Sequence, residues 1–118
     1  MANRKGQVTF KAQGKTWALK FTTNAMCAYE DASGEYFTAV AKHFAAMQDG
    51  QFPIGVIRRL FWAGLLDCAP DLDLEGAGDL LDHVGLTRAS EIVGEAFQAA
   101  FPADDGDREA GNGKPARA

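Results

Sequence analysis

An α+β fold, an N-terminal β-hairpin packed on a bundle of about five α-helices, is predicted by three features of this 118-residue chain. Apolar and polar residues alternate on both sides of Gln13-Gly14, the period of paired strands. From Asn24 onward apolar residues recur at three- and four-residue spacing, the period of amphipathic helices. Glycines and prolines at Gly34, Gly50, Pro53 and Pro70 fall between those stretches, where helices stop and start. With 47% hydrophobic residues, one domain over 1–102 can bury roughly two-thirds of its unfolded surface.

In the hairpin, Val8, Phe10 and Ala12 alternate with polar residues, Gln13-Gly14 turns the chain, and Trp17, Leu19 and Phe21 return. Phe10 then faces Trp17 and Val8 faces Leu19, so burial of one face sets the register. A lone hairpin is marginal and needs a helical cover. Thr23 or Asn24 can cap a first helix through Met26 and Tyr29, with Ser33 in a turn role and Gly34 at the left-handed stop. Phe37, Val40, Ala41, Phe44 and Met47 define a second, ending at Gly50. Pro53 suits the first turn of a third helix, which Pro70 ends. Its broad apolar face, Ile54, Ile57, Leu60, Phe61, Gly64 and Leu65, is assigned to the core. Asp73 and Thr87 are the predicted N-caps of a fourth helix, Leu74 to His83, and a fifth, Arg88 to Phe101. The fifth helix turns Ala89, Ile92, Val93, Ala96, Phe97, Ala100 and Phe101 to one side, with both phenylalanines expected in the core. Residues 103–118 hold no aliphatic side chain beyond alanine and are expected to form a disordered tail.

The segment Asp71–Asp82, DLDLEGAGDLLD, approaches the calcium-loop pattern. Its eighth position is Gly78 rather than an aliphatic anchor, and its twelfth is Asp82 rather than a bidentate Glu. Leu74, Ala77, Leu81 and Val84 keep helical spacing, so a capped helix with a solvated acidic face is expected. His43 and His83 are isolated and offer no short-range ligand pair with Cys27 or Cys68. Those two cysteines are expected as buried reduced thiols. With no phosphate loop, nucleophile elbow or metal motif, the expectation is a non-catalytic protein without metal or cofactor. A net charge of −4 argues against nucleic-acid binding. The most apolar run, Ile54 to Leu66, carries Arg58 and Arg59 and is too short for a bilayer span, and MANRKGQVTF has no apolar signal core. A cytoplasmic protein is the corresponding expectation.

The third helix carries the candidate partner site. Trp62 and Leu66 fall opposite its core stripe, one turn apart and interleaved with Arg58 and Arg59. Two readings follow. Arginine stems and the loop after Pro70 can cover them, with Arg58 stacked on Trp62. Alternatively Arg58, Arg59, Trp62 and Leu66 face a partner, since Trp and Arg are enriched among interface anchors.

The order GKTWAL, NAMCAYEDASG, RRLFWAGL, PDLDLEGAGDLLDHVGL and EAFQAAFP resembles a family of small tail proteins of gene transfer agents and related tailed phages and prophages, over Gln7 to Pro102. Members carry two labels, tail-tube protein and tail-assembly chaperone. The resemblance implies the second: a virion-assembly protein of the bacterial host cytoplasm that binds the tape-measure protein, and possibly the tube protein, with self-association. The alternative it leaves is a structural, tube-associated tail component, and a third reading is an unrelated protein-interaction module. One hairpin is too little strand for a ring-closing tube subunit. Gly76 departs from the family, in which an acid completes a capping box, and weakens the start of the fourth helix.

Overall fold

The computed structural model describes residues 2–3, 6–47 and 53–101. The predicted stop at Gly50 and the predicted tail 103–118 lie outside the described residues.

The α+β architecture is as predicted. Strands β2 (Gln7–Ala12) and β3 (Lys15–Leu19) pair with Phe10 opposite Trp17 and Val8 opposite Leu19. Gln13 and Gly14 both adopt positive φ, 55° and 74°, the requirement of the type I′ turn whose twist matches the flanking strands. A short strand β1 (Ala2–Asn3) pairs with the other side of β2, giving an antiparallel sheet in the order β1-β2-β3. Two residues are too few to leave a periodic signal.

Helix α1 (Thr23–Ser33) is capped by Thr22, one residue before the expected caps: its hydroxyl oxygen accepts from the Ala25 N–H at 3.0 Å. Gly34 closes it at φ 74°. The predicted second helix is a 3₁₀ turn, Phe37–Val40, leading into α2 (Ala41–Met47). Then follow α3 (Ile54–Leu65), α4 (Leu74–Val84) and α5 (Leu86–Ala100). Asp73 caps α4 by accepting from the Gly76 N–H at 2.7 Å. Thr87 does not cap α5. The chain passes from α4 to α5 through Gly85 alone, at φ 92°, so Thr87 already lies within the first turn.

The inner face of the sheet, Val8, Phe10, Trp17 and Leu19, is buried against the helices, and Phe10 meets Phe61 of α3 at a ring separation of 5.6 Å. Phe37 is buried at the centre of a second aromatic cluster with Phe21, Tyr29, Phe97 and Phe101. Four residues expected to be buried need correction. Ile54 is 55% exposed, because it begins α3 at the end of the apolar stripe. Phe101 is 41% exposed at the rim of the aromatic cluster. Cys27 and Cys68 are exposed rather than buried: Cys27 faces away from Ala25 and Tyr29 on α1, and Cys68 sits in the turn after α3. Among the described residues no helix is long and apolar enough to cross a membrane.

Candidate functional site

The outward side of α3 holds the four residues singled out from the sequence, and the structure divides them. Trp62 is half-buried, and its indole Nε1 donates to the Leu72 carbonyl at 2.8 Å. The turn after α3 is itself tied down by Cys68 and Ala69 N–H bonds to the Leu65 carbonyl. The loop after Pro70 thus sets the Leu72 carbonyl at the edge of the indole. Leu66, also half-buried, looks toward Thr22, Asn24 and Ala25 across a shallow cavity of about 280 Å³.

The two arginines diverge. Arg59 is half-buried beside Gly55 and close enough to α1 for its charge to favour the ionised form of Tyr29. Arg58 is exposed and leans toward α4, with Cδ 3.5 Å from where a Cβ on Gly78 would stand. There it joins a groove of about 380 Å³ lined by Ile54, Gly55, Gly78, Leu81, Asp82 and Leu86. Ile54 and Leu86 supply apolar walls, Gly55 and Gly78 leave room for a close backbone approach, and Arg58 and Asp82 place opposite charges on the rim. Only Arg58 of the four lines this groove. Ile54, Leu81 and Leu86 were missed as its partners. A stripe of apolar residues gives no sign of where a neighbouring helix stops covering it.

Trp62→Phe keeps one aromatic ring but removes the pyrrole half of the indole and, with it, the donor to Leu72. A loss of about 1–2 kcal/mol is expected in urea unfolding, with faster amide exchange around Leu72. Unchanged stability would mean that the indole is a free anchor after all.

A polar cluster joins α1 to α2. The Tyr29 hydroxyl donates to Glu35 Oε1 at 2.7 Å, and His43 Nε2 lies 3.1 and 3.0 Å from the two carboxylate oxygens. Glu30 Oε2 accepts from the Phe37 N–H at 2.8 Å, and Ser33 Oγ accepts from the Glu35 N–H at 3.1 Å. Burial, followed by the adjacent carboxylate, raises the Tyr29 pKa, whereas the Tyr29 hydrogen bond, followed by His43, lowers that of Glu35 against the effect of burial. This fastening positions Phe37 and makes His43 a partner of Glu35. Spacings of six and eight residues across a glycine stop carry no motif by which to find it.

From Leu74, the calcium-like segment is continuous helix, and the Asp73 carboxylate is engaged as a cap. Among the described residues no group of three or more His, Cys, Asp or Glu is placed to hold a metal ion. No protein-family model matches the chain, and no curated protein or solved structure matches it significantly.

Proposed function

We propose that this chain is a non-catalytic tail-morphogenesis protein of the tail-assembly-chaperone type, which covers an apolar helical segment of a tape-measure protein. The observation that carries this reading is Ile54, a large aliphatic side chain left 55% exposed at a groove between α3 and the α4–α5 corner. A groove with apolar walls, glycines at the point of approach and charges on the rim suits an amphipathic helix laid into it. A tape-measure protein is a long, helix-prone chain whose apolar stripes need cover until the tail tube encloses them. Copies bound along one such chain gain from avidity.

The test is co-expression with the tape-measure protein encoded in the same gene cluster, scored by soluble yield and co-purification. Ile54→Asp should leave the isolated domain folded, since an exposed substitution usually changes stability by no more than about 0.5 kcal/mol. It should weaken binding about 30-fold, the equivalent of losing a ~2 kcal/mol hot spot. If the folded variant still carries the partner, the groove is not the site. If the unaltered protein neither binds nor solubilises the tape-measure protein, the chaperone reading falls.

A further inference from the structure

Charge is segregated along this chain and therefore in space. All 16 acids follow Tyr29, whereas five of the 12 Lys and Arg residues precede it. Among the described residues the hairpin carries Lys11, Lys15 and Lys20, and no acid pairs with any of them. Lys15 lies over the Trp17 ring at 4.7 Å. The helices cover one side of the sheet only: along β2 and β3 every second residue is buried, while Thr9, Lys11, Thr16, Ala18 and Lys20 are half-buried or exposed on the other side. Apart from its lysines and Gln7, this outer face carries the small side chains of Thr9, Thr16 and Ala18, a flat surface of the kind on which a helix packs in two-layer folds.

The edge of β3 is open as well. A two-residue turn makes Ala12–Lys15 a hydrogen-bonded pair, and alternation then turns the main-chain groups of Thr16, Ala18 and Lys20 away from β2. The Lys20 N–H is taken by the Gly64 carbonyl at 2.9 Å. Thr16 and Ala18 are left facing outward.

The complementary surface is on the same molecule but cannot reach the hairpin's outer face from the inner side of the sheet. Glu75, Asp79 and Asp82 are exposed at i, i+4 and i+7 along α4, opposite its buried Ala77, Leu80 and Leu81. The small residues Gly76 and Gly78 flank them, and Arg58 and His83 are the basic side chains at the margin.

We propose that copies of this chain associate head to tail, the lysine-bearing outer face of the hairpin of one copy resting on the acidic outer face of α4 of the next. Hairpin-to-hairpin pairing would oppose lysine to lysine, so a two-fold contact through this surface is disfavoured. A head-to-tail contact instead leaves one free end of each kind, and copies add until a ring closes or a filament runs on. This inference does not depend on the identity of any other partner.

The test is sedimentation of the full chain. In about 20 mM salt the average mass should rise with concentration, and in about 0.5 M salt, where the Debye length falls well below 10 Å, it should return to the 12.6 kDa of one chain. Lys11→Glu with Lys20→Glu, and separately Glu75→Lys with Asp79→Lys, should each abolish association, with circular dichroism confirming that both remain folded. An equimolar mixture of the two variants should associate again, because each then offers the surface the other needs. The milder Lys11→Gln with Lys20→Gln should weaken association without abolishing it, and it stands in if a reversed variant fails to fold. A protein monomeric at millimolar concentration in low salt would overturn the proposal. So would association indifferent to salt and to these substitutions, or variants that stay apart when mixed.

Discussion

Gly64→Val is expected to destabilise the domain by about 2–3 kcal/mol, a large share of the ~5–15 kcal/mol that holds a domain of this size together. Here α3 meets the end of β3 at its closest. A Cβ on Gly64 would stand 2.5 Å from Leu19 Cδ2, 2.6 Å from Leu19 Cγ and 3.1 Å from Phe21 Cε1. Neither neighbour can swing into solvent, since Leu19 is fully buried and Phe21 is 4% exposed. The helix cannot back away freely either, because the Gly64 carbonyl holds the Lys20 N–H. Alanine would recover about 1 kcal/mol of helix propensity and partly offset its clash. Valine adds two methyl groups to the same contact without that gain. Chemical denaturation of Gly64→Val, Leu19→Ala and the double variant checks the cause. The double variant should be at least about 1 kcal/mol more stable than the sum of the single effects, since Leu19→Ala removes the atoms that valine strikes. Simple additivity, or an undisturbed Gly64→Val protein, would locate the tight contact elsewhere.

Glu35→Ala is expected to cost about 1–3 kcal/mol near neutral pH, because it leaves the hydroxyl of the buried Tyr29 without its acceptor. His43 loses its carboxylate partner in the same step. Lys42, 3.4 Å from Glu35 but two-thirds exposed, contributes little. Glu35→Gln retains an acceptor and so isolates the charge. The Tyr29 hydrogen bond first, and His43 after it, hold the Glu35 carboxyl below its ordinary value of 4.5 while burial opposes them. A depressed folded-state pKa means that the carboxylate's contribution is complete above the ordinary value and is lost as pH falls through the folded one. The stability gap between the unaltered protein and Glu35→Gln should therefore be steady well above pH 4.5 and narrow as pH falls below it. A gap unchanged across that range would show that the carboxylate's charge is not what fastens α1 to α2.

The accuracy of the sequence reading follows the range of the interactions that determine each feature. The hairpin register was legible because Val8, Phe10, Trp17 and Leu19 alternate around a Gln-Gly turn, and a slip of one residue would expose all four. The ends of α1 and α4 were legible because Gly34 and the Asp73 carboxylate act on main-chain groups within a few residues. Thr87 misled because a cap needs a loop before it, and Gly85 leaves none. Spacing alone set Trp62 off the core stripe, yet it is half-buried and packs against the core, and the loop after Pro70, one of the two covers open for it, supplies its acceptor.

By itself, the sequence determined the fold class, the pairing of the hairpin, the helical segments and the placing of every acid after the hairpin, because each rests on local periodicity, turn geometry or simple order along the chain. Only the tertiary structure decided that Ile54 lies beyond the cover of its neighbours and that the Leu72 carbonyl takes the Trp62 N–H. It likewise brought Glu35, Tyr29 and His43 together and left the lysine-bearing face of the sheet uncovered. Periodicity fixes which side of an element is apolar. Which neighbour arrives there, and how far along it reaches, depends on how the elements pack against one another.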